Sequence, residues 1–127
     1  MEPIKKAAVY MDHFMANIIE YITSAAIVKT IKSEYNLYEK EKIIQKGESN
    51  MFNKEQDLQQ QFYVKLRDEL LDYNSVLLFG STNAKTQMQN ILQTDKQFSD
   101  VEVTIKNTDK LSEKEQIDFV NECFYID

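Results

Sequence analysis

The sequence predicts an α/β fold in which three antiparallel strands precede two parallel strand–helix units, forming one mixed five-stranded sheet with helices packed on it. Three observations predict it. Apolar runs with the spacing of strands fill residues 7–31. A four-residue helical period follows, beginning near Asn53. Two further strand-and-helix patterns complete the chain, and such crossovers are right-handed, so the last two strands should lie parallel to a central one.

The first strand is predicted at residues 7–11 (AAVYM), which are apolar on both faces, as in a central buried strand. Asp12-His13-Phe14 supplies a turn. Two more strands are predicted at residues 16–22 and 25–31, and Thr23-Ser24 is short enough to join them as a hairpin. The opening of the chain is therefore expected to be an antiparallel three-stranded unit.

Residues 33–52 form a polar, mixed-charge segment that contains Gly47, one of only two glycines. Connections of this length are uncommon in compact domains, and they either serve a function or are simply disordered. The segment predicts a long, mobile loop.

The first long helix is expected to begin after Asn53, a favourable N-cap residue, with Gln56 completing a capping box. Its buried stripe has a four-residue spacing and consists of Leu58, Phe62, Leu66 and Leu70. A short apolar strand at residues 75–79 then ends at Gly80, as in a buried parallel strand.

The second helix is predicted over residues 83–94, with four inward side chains: Ala84, Met88, Ile91 and Leu92. The last strand alternates polar residues with Val101, Val103 and Ile105. Ser112 and Glu115 form a capping box that opens a final helix, which is expected to bury Ile117, Val120 and Phe124. This order of elements is the layout of ribonuclease-H-like folds.

Length and composition are those of a single globular domain over residues 1–127, with 43% apolar and 28% charged residues. No apolar run approaches the roughly 20 residues that cross a bilayer, and Cys123 alone cannot form an intrachain disulfide. We therefore expect a cytoplasmic protein. The net charge of −6 disfavours nucleic-acid binding, although recurring lysines leave room for a local basic patch.

The turn after the fourth strand is the first candidate binding site. Gly80, Ser81 and Thr82 stand where a helix begins, and free N–H groups there favour an anion. A P-loop requires GxxxxGK[ST], but Ala84 replaces its second glycine and Lys85 comes one residue early. The favoured interpretation is a strand-to-helix turn capped by Ser81 or Thr82, with Lys85 on the surface.

No set of catalytic residues is evident, and neither a cofactor nor a metal site is predicted. A metal-dependent nuclease would need converging carboxylates, for which the candidates are Asp12, Glu69, Asp72 and the remote Asp109. His13 is the only histidine and lies far from Cys123 in sequence, so the two make neither a zinc site nor a Cys–His pair. Cys123 is interpreted as a small buried hydrophobic residue.

The stretch SVLLFGSTNAKTQM, residues 75–88, resembles the strand–turn–helix in the middle domain of eukaryotic and archaeal peptide-chain release factors and the ribosome-rescue factor Pelota. Gly80, Ser81, Lys85 and Thr86 match that pattern, and the order of elements and the strand before Asp12 also fit it. The whole is similar to the small bacterial relatives of that family. In release factors a Gly-Gly-Gln tripeptide occupies the loop that corresponds to residues 33–52, but this chain contains no Gly-Gly-Gln.

The resemblance implies a non-catalytic accessory of translation that binds the ribosome or tRNA, with contacts at Gly80, Ser81, Thr82, Lys85 and Gly47. The competing hypothesis is a protein–protein interaction or regulatory module, including a homo-oligomer, unconnected with the ribosome. The third is a metal-dependent phosphoesterase or nuclease.

Overall fold

The computed structural model describes residues 5–33 and 48–125, and these residues build one five-stranded sheet with the strand order β3-β2-β1-β4-β5. The strands are β1 (Lys6–Met11), β2 (Met15–Tyr21), β3 (Ala25–Lys32), β4 (Ser75–Gly80) and β5 (Glu102–Asn107). β1 pairs antiparallel with β2 and parallel with β4, and β4 pairs parallel with β5. The mixed sheet predicted from the sequence is confirmed.

Among the residues that the structure describes, three α-helices accompany the sheet: α1 (Glu48–Glu69), α2 (Ala84–Gln93) and α3 (Glu113–Tyr125), with a short 3₁₀ helix at Lys96–Phe98. Within the described ranges, no helix combines the length and apolarity that crossing a bilayer requires.

The predicted start of α1 at Asn53 was wrong, because the helix begins five residues earlier at Glu48. A single Asn inside a helix costs only about 0.7 kcal/mol relative to Ala, so Asn53 does not stop it. Gly47 and the remainder of the predicted mobile loop, residues 34–47, lie outside the described residues.

The first face of the sheet is covered by α1 and α2 and is apolar. In β1, Ala7, Val9 and Met11 point to this face and meet the predicted stripes of both helices. The largest fully buried side chains in this layer are Phe62, Met11, Ile18, Leu66, Leu70, Leu78, Met88 and Leu92. Burial of these side chains contributes hydrophobic stabilisation to the fold.

On the second face, α3 is the only helix among the described elements, and it packs over β2 and β3. The predicted capping box is confirmed, since the Glu115 amide donates to Ser112 Oγ (3.2 Å) and the Ser112 amide donates to Glu115 Oε1 (3.0 Å). The bond from the Ser112 amide lowers the pKa of the Glu115 carboxyl. Val120 and Phe124 are buried as expected, and Ile117 packs at the margin of the same cluster.

Because α3 covers only part of the second face, the outer strand β5 stays open there. Glu102, Thr104 and Lys106 are all exposed on this side. Cys123 was predicted to be buried but is only partly so, because it stands at the border between α3 and this open strip, 3.7 Å from Lys106 Nζ. An open groove of about 610 Å³ runs between α3 and β5.

Candidate functional site

Three parallel strands end at one edge of the sheet, and the predicted binding turn lies there. Asp12 follows β1, Gly80 ends β4 and Asn107 ends β5. The Thr108 amide donates to the Gly80 carbonyl (3.0 Å), which ties the ends of β4 and β5 together. Ligands of open α/β sheets commonly bind at this carboxyl edge, so the turn after β4 stands in a position suited to binding.

Gly80 adopts a backbone conformation that other residues rarely take, with φ at +146°. A Cβ added there would lie 2.6 Å from the Met11 carbonyl oxygen, which is closer than real Cβ atoms approach a backbone oxygen. The glycine is therefore required by the close approach of β4 to the end of β1, whatever the turn binds.

The residues after Gly80 form the entry to α2. Ser81 is exposed, and Asn83 is the N-cap residue without a side-chain capping bond. Thr82 Oγ1 accepts a hydrogen bond from the Ala84 amide at 3.3 Å. The capping role predicted for Ser81 or Thr82 is thus taken in part by Thr82, and Ser81 remains presented to solvent.

Lys85 was predicted on the surface, but its side chain is only 3% exposed. Its spacing explains the burial, because Lys85, Met88 and Leu92 follow one another at i, i+3 and i+7 on the inward stripe of α2. The ammonium group turns back and donates to the Thr82 carbonyl. Loss of solvation lowers the pKa of Lys85. This hydrogen bond links the turn to α2.

The acidic residues considered for a nuclease site do not meet. Asp12 Oδ1 accepts from the amides of Phe14 (2.7 Å) and Met15 (2.8 Å), and so shapes the β1–β2 turn. Gln59 of α1 reaches the adjacent His13 carbonyl (3.1 Å), and Glu69 lies ten residues further on, about 15 Å along the helix. Across residues 5–33 and 48–125 no three His, Cys, Asp or Glu side chains are grouped so that they could hold a metal ion.

A second surface gathers basic residues that are separate in the sequence. Lys29 and Lys32 of β3 line a groove with Lys65 of α1, together with Asp68 and Glu69. Lys29 forms an ion pair with Glu69. The lining thus contains three lysines and two acidic residues, on a chain whose total charge is −6. We call it the β3–α1 groove.

The local basic patch allowed by the recurring lysines has no position that the sequence alone indicates. The lysines of the β3–α1 groove come from a strand and a helix that are more than 30 residues apart. No local period links them, because their proximity follows from α1 packing across β3 on the first face. Only the pairing of these two elements in three dimensions reveals the groove.

Comparison with solved structures supports the fold. The crystal structure of Pelota from Archaeoglobus fulgidus matches 97% of this chain with a TM-score of 0.63 at 7% sequence identity. Pelota from Thermoplasma acidophilum matches 92% with a TM-score of 0.60 at 15% identity. This chain shares its fold with part of Pelota. It spans about a third of either Pelota chain, 32% in both cases.

A looser match exists to the archaeal translation termination factor aRF1, with a TM-score of 0.43 at 16% identity over 96% of this chain and 39% of that one. No protein family matches the sequence, and no curated protein matches it either. The fold likeness to Pelota was therefore established from three-dimensional structure, at sequence identities that show the fold alone.

Proposed function

We propose that this chain is a translation-associated, non-catalytic domain that binds the ribosome or tRNA and corresponds to the middle domain of Pelota. The observation that carries the proposal is the match to two Pelota structures over more than nine-tenths of the chain. The match of Gly80, Ser81, Lys85 and Thr86 to the strand–turn–helix of that family supports the same reading. Such a role would be carried out in the cytoplasm.

The surface best suited to RNA is the β3–α1 groove. RNA phosphates draw affinity from lysine and arginine, and three lysines, Lys29, Lys32 and Lys65, line the groove. At the predicted turn, Ser81 offers an exposed hydroxyl group, while the buried Lys85 supplies rigidity in place of a phosphate contact. We propose the groove as the main RNA contact and the turn as a secondary one, at Gly80, Ser81 and Thr82. A contribution from Gly47 stays a prediction.

Sedimentation with ribosomes tests this proposal. Purified protein mixed with ribosomes is expected to migrate with the ribosomal fractions of a sucrose gradient at low salt and to dissociate as salt rises, because phosphate contacts release counterions. Protein found only at the top of the gradient, at every magnesium and salt concentration and with ribosomes from every growth state, would refute it.

A pair of matched variants locates the contact. The charge reversal Lys32→Glu with Lys65→Glu should abolish comigration. Lys110→Glu with Lys114→Glu changes the net charge equally, beside and within the first turn of α3, and should leave comigration unchanged. Equal loss in both variants would show that net charge, and not the groove, governs binding.

A further inference from the structure

The free edge of the sheet at β5 has a sequence that is complementary to itself. β5 is the outermost strand and pairs only with β4 among the described elements. Read from Glu102 to Lys106 the strand is E-V-T-I-K, with an acid and a base at its ends, two β-branched apolar residues next to them and threonine at the centre. Read in the opposite direction, the strand has the same pattern of charged ends, β-branched apolar residues and central threonine, with the acid and the base exchanged.

The backbone at this edge has the right alternation for pairing. The Glu102 amide donates to Asn74 (3.0 Å) and the Thr108 amide to Gly80 (3.0 Å), so even-numbered residues direct their N–H groups toward β4. Successive residues of a strand point their backbone groups to opposite sides. Val103 and Ile105 therefore direct their N–H and C=O groups to the open edge.

We propose that β5 pairs antiparallel with β5 of a second copy of this chain, about a two-fold axis at Thr104, and joins two sheets into one. In this register Val103 faces Ile105 of the second copy and Ile105 faces Val103 of the second copy, both as hydrogen-bonded pairs. Thr104 faces Thr104 of the second copy, and at each end of the strand pair Glu102 of one copy faces Lys106 of the other. These are non-hydrogen-bonded pairs, in which the two side chains lie closest together. Opposite charges, threonine pairs and β-branched pairs are all favourable cross-strand partners.

The exposure of the β5 side chains is consistent with pairing to a second copy of this chain. Glu102, Thr104 and Lys106 are exposed on the second face, where α3 leaves β5 uncovered, and Val103 and Ile105 are only half-buried under α2 on the first. The charges that elsewhere protect a free edge from association here select one register, because any shift separates Glu102 from Lys106 of the second copy.

The opposite edge of the sheet lacks these properties. β3 carries Lys29 and Lys32 with no acidic residue along the strand, so two copies would bring like charges together. Its pairing with β2 is also interrupted by a bulge at Ile18 and Ile19, a feature that discourages edge association. The symmetric assembly is therefore expected at β5, with isologous contacts.

Sedimentation velocity across about 10 µM to about 1 mM measures the assembly. A single strand pair makes a small interface, so we expect the average mass to rise with concentration from that of a monomer toward that of a dimer. A monomer mass throughout this range would overturn the proposal. The inference does not depend on ribosome binding, because this measurement contains no RNA.

Charge exchange tests the register. Lys106→Glu or Glu102→Lys alone places like charges opposite each other at both ends and should weaken the dimer about tenfold. The double variant restores both pairs and should recover the affinity of the original chain to within about threefold. Lys32→Glu changes the net charge as much as Lys106→Glu does, but on the opposite edge of the sheet, and should leave the affinity of the dimer unchanged. Failure of the double variant to recover, or an equal loss in Lys32→Glu, would overturn the register.

Amide exchange provides a readout that needs no substitution. As the protein concentration rises, the Val103 and Ile105 amides should gain protection, while those of Glu102 and Thr104, already directed at β4, should not change. Uniform protection along β5, or none, would contradict pairing at this edge.

Discussion

The two faces of the sheet are covered by different kinds of interaction. On the first face, α1 and α2 meet the strands through apolar side chains, and the interactions between polar side chains, such as Arg67 with Asp95, lie at the margin. On the second face, α3 is held by buried polar contacts. Asn17 Nδ2 donates to Gln116 Oε1 (2.9 Å), and both side chains are at most 3% exposed.

Further hydrogen bonds orient α3. Asn121 Oδ1 accepts from the Ala25 amide at 2.7 Å, and the Tyr10 hydroxyl accepts from the Leu111 amide at 2.9 Å. Apolar burial is strong but non-directional, whereas a buried amide pair fixes both position and rotation. One helix anchored in this way can occupy half a face without sliding, and among the described elements it leaves β5 uncovered on that face.

The largest effect is expected on the first face. Leu66→Ala removes a side chain with no exposure from the centre of the apolar layer and should lower the free energy of unfolding by about 2–5 kcal/mol. Urea denaturation measures it. Leu71→Ala, at a position 43% exposed, is the matched control and should change stability by less than about 0.5 kcal/mol. Equal losses in both variants would contradict the layered core described here.

The second-largest loss of stability is expected at the turn that leads from β4 to α2, a helix of the first face. Gly80→Ala puts a Cβ against the Met11 carbonyl oxygen and imposes a left-handed φ on alanine, so it should cost about 1–3 kcal/mol or more. The melting temperature measures this loss. Ser81→Ala, at the exposed neighbouring position, should leave the melting temperature nearly unchanged. A neutral Gly80→Ala would mean that β1 and β4 are not so closely spaced.

Most of the fold could be predicted because its elements have local signals. The apolar runs of β1 and β4, the alternation in β3 and β5 and the four-residue stripe from Leu58 to Leu70 each follow from neighbouring residues, and the right-handed crossover rule then orders the strands. The start of α1 could not be predicted, because Asn53 and Gln56 have the sequence pattern of a capping box, whereas both residues lie inside the helix. Capping residues are also tolerated inside helices when packing elsewhere stabilises them.

The candidate site was predictable only in part. The turn at Gly80 follows from its place between an apolar strand and a helix. Residue type places Lys85 in solvent, whereas its i, i+3, i+7 spacing with Met88 and Leu92 indicates the inward stripe on which it is buried. The β3–α1 groove depends on contacts between distant segments, which no sequence window contains.

On the second face we expect a smaller but more local effect. Asn17→Ala leaves Gln116 Oε1 without its buried donor, and also removes the acceptor of the Thr30 hydroxyl (2.7 Å). The loss should be about 1–3 kcal/mol. Hydrogen exchange should accelerate in α3 more than in α1, which rests on the other face.

A double-mutant cycle with Gln116→Ala sharpens this comparison between the faces. If the two amides act as one anchor, the combined loss should be smaller than the sum of the single losses by at least about 0.5 kcal/mol. Strict additivity would show that α3 is held by its apolar side chains alone, like the helices of the first face.

The smallest effect is expected from Lys85, the one buried charge within the described part of the first-face layer. Desolvation lowers its pKa in the folded state, so between the folded pKa and the unfolded value near 10.4 the unfolded chain binds more protons. Stability must therefore rise with pH across that window. Lys85→Met keeps the apolar stem without the charge, and its free energy of unfolding should lack this rise. Because tyrosines also titrate in this range, the measurement is the difference in the free energy of unfolding between the two proteins at each pH from about 7 to 10.5. A difference that does not depend on pH would show that Lys85 is as well solvated in the folded protein as in the unfolded chain.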